Sequence, residues 1–526
     1  MTDKNARFEE AVEAMTKSEN RFDVTIICTT DDHQADFWMS KLSDGLSKEG
    51  EKFPMVIAVS EDWAPGGAGN GLGTLYAWQK AVKLAKTKFD ADLEALMLDN
   101  TVSAALFHTA GKGTRMAPLP ASENNNKPGV KLPFLSTSTG KAMTVLEAVV
   151  QQSGIYAPSR KGRLSVFWGD QVFLPSVSFQ YTPTHHVDIM CTLLGDTAPT
   201  PEEWAAQGLE KYGVIAVLEG DKAETAQVEK VDHATATRML GQLGTIKQVG
   251  PSLGSFSVSG EILKAMLEEY STELTEKTAK LDTDPHFWMP LTLSEADYIY
   301  LMKQKGIDEG ESKSHYARMK VFSEKFDKGD MGLFGAVDVG KDACWWDYGQ
   351  LKLYSKNTTL LLEDSNPECG LLRKFLGLTD GPTFGKIGEA DVVHSFCFNS
   401  KIASGNIKDT IACQVNTKEL NAEGAIVVNC VAPRITAGKG CILYNIMSEE
   451  EIIAQDGQVM VAVTAESGDS FVLKSKVDID GGKAWKIVVE DNENSFEQVW
   501  KNNKMANISK IDAERTQKFN ALSEKL

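Results

Sequence analysis

No two of the eight cysteines stand in a C-x-x-C pair, and His108, His185 and His186 show no metal-ligand spacing. A disulfide framework and a structural zinc site are therefore not expected, and the thiols read as buried or surface thiols of a reducing compartment. No apolar run approaches the length of a membrane span. The opening MTDKNARFEEAVEAMTKSEN is charged and lacks the apolar h-region of a signal peptide. The cytosol is the expected compartment, or an organelle if a transit peptide has been removed. Positive charge is also scarce: 55 Lys and Arg against 73 Asp and Glu give a formal net charge of −18. Such a surface repels phosphate backbones, so neither nucleic acid nor a membrane is an expected partner. Any anion this chain handles must be met by a few well-placed cations.

What is present is an ordinary globular composition, 42% hydrophobic over 526 residues, too long for one core. Residues 1–20 predict a loosely docked helical tail. Apolar strands are predicted at Val24–Cys28, Met55–Val59, Ala104–His108 and Leu164–Trp168, alternating with helical periodicity at 33–48 and 74–87. That alternation predicts an α/β, doubly wound Rossmann-like domain over residues 21–375, with ligands at the carboxyl ends of its strands. From about residue 376 the texture changes to short β runs such as AIVVNCVA and QVMVAVTA, with an irregular hexapeptide spacing. This predicts a β-rich C-terminal domain over 376–490, a β-helix or β-roll, followed by a helical tail over 491–526.

The most specific stretch is HTAGKGTRMAPLP, residues 108–120. Gly111, Gly113 and Thr114 follow a predicted strand, where a sharp bend and close approach to phosphate favour glycine and successive N–H groups form an anion cradle. Arg115 adds a permanent charge that can grip phosphate oxygens in two places. Downstream, NNNKPGVKLPF offers two lysines, Lys127 and Lys131, for neutralising a phosphate during attack. One of them is expected to be only a solvated charge, and the Lys-Pro pair favours Lys127.

GKGTRM followed by Lys-Pro resembles the signature of the sugar-1-phosphate nucleotidyltransferases, the pyrophosphorylases. Further elements resemble that family in order over residues 20–360. Phe167-Trp-Gly-Asp170 resembles the strand whose terminal aspartate holds the metal, and Trp345-Trp-Asp-Tyr-Gly349 resembles W-x-D-x-G, whose aspartate is the second ligand. Lys211-Tyr-Gly-Val-Ile215 resembles the segment along the sugar, and Val228-Glu-Lys230 the V-E-K-P element that contacts sugar hydroxyls and phosphate, here with Val231 in place of proline. Leu253-Gly-Ser-Phe256 resembles the N-x-G-x-Y-x-F strand without its asparagine. A whole unit precedes the G-x-G-T-R turn. It contains Gly69-Asn-Gly-Leu-Gly-Thr74, whose Leu-Gly-Thr resembles the family's base-binding loop, which usually comes later. This arrangement is most similar to L-fucose-1-phosphate guanylyltransferases, whose chains also carry a β-rich C-terminal domain but whose phosphate loop reads G-G-Y-S-Q-R.

The resemblance implies an enzyme that transfers a nucleotidyl group from a nucleoside triphosphate, UTP or GTP, to a sugar 1-phosphate and releases pyrophosphate. It implies Mg²⁺ on Asp170 and Asp347, with Asp188 a weaker third candidate. It implies a base lined by Gly69, Gly71, Leu72, Gly73 and Thr74, and a sugar held by Tyr212, Gly213, Glu229 and Lys230. Such an early base loop implies a permuted domain, with the Gly69–Thr74 and Gly111–Arg115 loops flanking one cleft. The segment LDTDPHFWMPLTL, residues 281–293, reads as a turn feeding a core helix or as a specificity loop. The β-rich domain carries no recognisable catalytic motif and is expected to serve assembly or support, with a homo-oligomer through it as one outcome. A non-catalytic sugar-nucleotide-binding regulatory homologue is the rival reading; retention of Arg115, Asp170 and Asp347 argues against it.

Overall fold

The computed structural model describes residues 2–17, 20–47, 51–136, 140–378 and 383–526. Helix α1, Thr2–Thr16, buries Phe8, Ala11, Val12 and Met15, an i, i+3, i+4, i+7 stripe that docks it into the main core. It is thus a packed element and not a loose tail. Strands β1 (Val24–Thr29) and β2 (Met55–Ser60) are buried along their whole length, as strands covered on both faces must be. Helix α2, Asp32–Leu46, lies between them in sequence and starts where Asp31 caps the Gln34 N–H, a contact worth about 1 kcal/mol. Helix α3, Gly69–Phe89, follows β2.

The remaining strands of this domain are β3 (Ala104–His108), β4 (Lys131–Leu135), β5 (Ala142–Thr144), β6 (Arg163–Trp168), β7 (Gln171–Leu174), β8 (His185–Cys191), β9 (Gly213–Leu218), β10 (Thr225–Glu229), β11 (Ile246–Ser259), β12 (Gly332–Asp338) and β13 (Cys344–Asp347). In the main sheet β2, β1, β3 and β6 lie side by side and parallel. The long β11 runs antiparallel to β6 and to β8, and β12 pairs parallel with β8. The first half of β11 also pairs with β9, which forms an antiparallel ladder with β10. Two short antiparallel pairs stand apart, β4 with β5 and β7 with β13. This is a mixed α/β domain. The strand that precedes the G-x-G-T-R turn, β3, sits inside the sheet between β1 and β6.

The C-terminal part is a separate β-rich domain. Its strands stack in parallel register: Ala412 pairs with Val427, 15 residues on, Ile426 with Ile442, 16 on, and Ile442 with Val459, 17 on. Each coil therefore spans 15 to 17 residues, and its two left-handed corners stand five residues apart. Two corners of each coil carry left-handed backbone. One corner is His394, Asp409, Gly424, Gly440 and Gly457; the other is Asn399, Gln414, Asn429 and Asn445. The junction expected near residue 376 borders residues 379–382, which lie outside the described residues. Helices Phe496–Asn502 and Ile508–Glu524 end the chain. All eight cysteines are buried. Among the described residues no helix is long and apolar enough to cross a membrane.

Candidate functional site

After β3 the chain stays tied to β1, because the N–H groups of Thr109 and Ala110 both donate to the Cys28 carbonyl at 3.0 and 3.2 Å. It then turns through Gly111 and Gly113 at positive φ into a short 3-10 turn, Thr114–Met116. A Cβ on Gly113 would lie 3.2 Å from Lys127 Cγ, so the glycine makes room for the Lys127 stem. The Lys127 ammonium forms an ion pair with Asp170. Arg115 is exposed beside them.

Asp170 occupies the turn between β6 and β7. Asp347 ends β13, which pairs with β7 so that Asp347 faces Gln171 across the ladder. Tyr348 N–H donates to the Asp170 carbonyl at 2.9 Å, and Gly349 N–H to Asp347 Oδ1 at 2.6 Å. A Cβ on Gly349 would lie 2.7 Å from Asp170 Oδ2 and 2.9 Å from Asp347 Oδ1. The two carboxylates thus converge on one glycine, from positions 177 residues apart in sequence. Burial raises the Asp347 pKa and the Asp170 charge raises it further, while Arg115 and Lys127 pull it down. These four groups share one electrostatic site. Two hard oxygen donors that repel each other suit Mg²⁺, which takes few protein ligands and completes its shell with water and phosphate. Among the described residues no cluster of three or more His, Cys, Asp or Glu residues could hold a metal by itself. Asp188 lies elsewhere, buried against Arg163 at 3.1 Å.

Lys131 does not join this group. Its Nζ lies 2.5 Å from Glu123 Oε1, in a buried cluster where Glu123 also takes Arg515 Nη1 at 3.1 Å, Tyr444 OH at 2.6 Å and Asn445 Nδ2 at 2.9 Å. Burial pushes the Glu123 carboxyl up, but Lys131 and Arg515 outweigh it and hold it down to about 2. The same clamp extends along residues 121–125. Arg515 Nη2 and Asn445 Nδ2 donate to Ser122, Ser122 Oγ to the Ala462 carbonyl, Asn124 to Thr464 and Asn125 to Trp500. Asn503 donates to the Ala121 carbonyl. Asn126 instead accepts from Trp38 Nε1 on α2 at 2.9 Å. The stretch leading from Arg115 to Lys127 is therefore held in place by the C-terminal part of the chain. Gly481 reinforces this, since a Cβ there would lie 2.4 Å from the Thr114 carbonyl oxygen.

The Gly69–Thr74 stretch forms the first turns of α3 and lies at the ends of β2 and β3. Thr74 Oγ1 is 2.8 Å from His108 Nε2, and burial lowers the His108 pKa to about 4, so the ring is neutral. The N–H groups of Gly71 and Leu72 both donate to the Leu281 carbonyl, at 3.0 and 3.2 Å. Asn70 N–H donates to Asp282 and Thr283 N–H to Asn70 Oδ1. Gly69, at φ +75, would place a Cβ 2.5 Å from the Leu281 oxygen. The glycines here admit the 281–283 segment, which continues into a π-helical turn, Thr283–Trp288. Turns of that kind are frequent at functional sites.

The third group lies on the β9–β10 ladder, where Gly213 pairs with Glu229. Lys230 N–H donates to the Tyr212 carbonyl at 2.9 Å, and Tyr212 is exposed. Glu229 is paired with Lys230 at 3.0 Å and with Lys305 at 2.6 Å. A Cβ on Gly213 would lie 3.1 Å from Gln227 Nε2 and 3.6 Å from Asp284 Oδ2. Burial, then the Glu229 charge, raises the Asp284 pKa to about 6. Lys305 is an addition to the residues expected from sequence. Asp284 stood in the 281–293 segment, whose aspartates were its signal; Lys305 had none. No protein-family model matches the chain, and a search of curated proteins also gave no match.

Proposed function

We propose that the chain is a Mg²⁺-dependent sugar-1-phosphate nucleotidyltransferase, with the chemistry in residues 21–375. The observation that carries this reading is the convergence of Asp170 and Asp347 on Gly349, with Lys127 on Asp170 and its stem against the Gly113 turn. Asp170 and Asp347 would hold the ion, which when bound supplies charge neutralisation between phosphates. The open turn at Gly111, where a Cβ would meet nothing within 4 Å, leaves its backbone free to approach the triphosphate. Arg115 neutralises the departing pyrophosphate. Lys127 leaves Asp170 to neutralise the phosphate oxygens of the attacking sugar phosphate. Tyr212, Gly213, Glu229 and Lys230 orient the sugar, and Gly69–Thr74 sits on the base side, with UTP or GTP as donor. Catalysis is by positioning and charge, without a covalent intermediate.

The finer fold assignment follows the same reading. The main sheet is a doubly wound Rossmann-like sheet in permuted chain order, supported by the interior place of β3 and by the contact of Thr74 with His108 at its end. The stacked coils are a β-helix, supported by their parallel register.

The test is pyrophosphate release from a panel of triphosphates and sugar 1-phosphates with Mg²⁺. Wild type should turn over at least one pair, and Asp170→Asn, Asp347→Asn and Lys127→Ala should each lower kcat by about 10²–10³ with melting temperature retained. Turnover by an Asp347→Asn chain at the wild-type rate would remove the assignment.

A further inference from the structure

A cleft of about 820 Å³ opens beside Lys131, large enough for a small organic ligand. Both parts of the chain build it: Phe37 and Lys41 from α2, Lys131 from β4 and Lys141 just before β5, and Arg515 and Phe519 from the last helix. Its floor carries two nearly buried cations, Lys131 and Arg515, facing one buried carboxylate, Glu123, with the partly exposed Asp512 3.9 Å from Arg515. The other lining carboxylates, Asp44, Asp512 and Glu524, are wholly or partly exposed. Arg515 is 4% exposed and its two terminal nitrogens are engaged, but its Nε hydrogen-bonds to nothing among the described residues. A buried charged donor left unpaired is costly, so an acceptor from outside the chain is the economical partner.

One wall is a ladder of amides. Asn399, Gln414 and Asn429 occupy the same corner of successive coils, at φ 44, 54 and 53. Glycine takes this conformation freely, and Gly424, Gly440 and Gly457 do so at the other corner. Gln414 takes it at a cost; its Oε1 accepts the Ala142 N–H at 3.4 Å and Asn429 Nδ2 donates to Asn445 Oδ1 at 2.7 Å, so each keeps one end of its amide for a ligand. Amides that both donate and accept suit hydroxyl groups, and the rings of Phe37 and Phe519 offer apolar faces to C–H groups.

We propose that this cleft binds a small phosphorylated polyol, phosphate on the Lys131–Arg515 floor and hydroxyls along the amide ladder, and that its occupancy is felt at Lys127. The route is short: Gly129 and Lys131 line the cleft, and Glu123, which fixes the stretch before Lys127, shares both floor cations. Only this coupling rests on the nucleotidyltransferase reading.

The probe is glucitol 6-phosphate, which has no anomeric phosphate and so cannot serve as a sugar 1-phosphate. Titration calorimetry on the full chain should show saturable binding, at least about tenfold tighter than for glucitol or for inorganic phosphate, the size of one charge-assisted hydrogen bond. Binding should persist in Lys127→Ala. It should weaken about tenfold in Lys401→Ala, on the rim, and in Gln414→Gly, where relief of the backbone offsets loss of the Ala142 N–H bond and the chain should stay folded. No saturable binding, binding indifferent to both cleft variants, or binding lost in Lys127→Ala overturns the site. Inorganic phosphate binding as tightly as the probe overturns the polyol assignment. In the pyrophosphate assay the saturating probe should change the wild-type rate at least about twofold, and Gln414→Gly should need about tenfold more probe for the half-maximal change. An active enzyme that ignores the probe overturns the coupling, whereas a chain inactive with every substrate pair overturns the function and leaves the titration to decide the site.

Discussion

Asp284 shows how a single carboxyl can be held against its own chemistry. Its folded pKa, raised to about 6 by burial and by Glu229, lies above that of an unfolded aspartate. Between about pH 4 and 6 the folded chain keeps a proton that the unfolded chain releases, so stability falls as pH rises through that window and stays low above it. Asparagine mimics the neutral form. Asp284→Asn should therefore be more stable than wild type above pH 6 by roughly 2–3 kcal/mol, and the difference should close below about pH 4. Melting curves from pH 4 to 8 check it; a constant difference across that range would mean the shift is not the cause. Its place beside Gly213 and Glu229 also predicts a raised KM for the sugar phosphate, with KM for the triphosphate unmoved. Lys127 and Lys131 make the complementary point. Sequence offers both, four residues apart, and what separates them is Asp170 on one side and Glu123 with Arg515 on the other, partners far away in the chain.

At the scale of elements, the buried parallel strands were legible because strands covered on both faces are continuous apolar runs; β1, β2, β3 and β6 fall within a residue or two of their expected limits. Helix α3 begins five residues before the expected start, inside the glycine stretch. Sequence alone favours a loop there, since glycine is a poor helix former, and the Leu281 carbonyl that takes the Gly71 and Leu72 N–H groups is some 210 residues away. The 15–17-residue coil was hidden for a different reason: its corners are filled by His, Asp, Asn and Gln as well as Gly, so no one residue type marks the period. Convergence of Asp170 and Asp347 was legible only through resemblance to a family, because the β7–β13 pairing that makes it is a tertiary fact. The Gly481 contact had no sequence signal. It carries an element-scale prediction: Gly481→Ala must push the Thr114 carbonyl away, at about 1–3 kcal/mol of local overpacking. Because the displaced atoms belong to the turn we propose to meet the triphosphate, kcat/KM for the triphosphate should fall about tenfold or more while KM for the sugar phosphate stays put. Equal changes for both substrates would show that the contact is only packing.

At the scale of the whole molecule, the two domains are joined by more than a linker. One apolar cluster runs from Leu132 and Phe134 to Phe398, Val428, Tyr444 and Val459. At its edge the Glu123 cluster ties the stretch carrying Lys127 to the last helix. An expectation that the C-terminal domain serves assembly or support therefore gains a more specific content: it fixes the backbone between Arg115 and Lys127, so changes at the interface should reach the chemistry. Glu123 is the place to ask. With its folded pKa held down to about 2, it stabilises the interface above the pKa of an unfolded glutamate, and that contribution is lost as pH falls from about 4.5 towards 2. Glu123→Gln removes the charge at every pH and leaves Lys131 and Arg515 with only the partly exposed Asp512, 3.9 Å from Arg515, to balance them. Breaking a buried pair in this way costs about 3–5 kcal/mol. Wild type should unfold in one calorimetric transition at neutral pH, because the shared cluster couples the domains. Glu123→Gln should split it into two, and adding Lys131→Met should partly restore the single transition by removing one of the stranded cations. In the same variant kcat should fall with the interface, before either domain melts. If Glu123→Gln still melts as one unit at the wild-type temperature, the ion cluster is incidental and the apolar cluster alone joins the two halves.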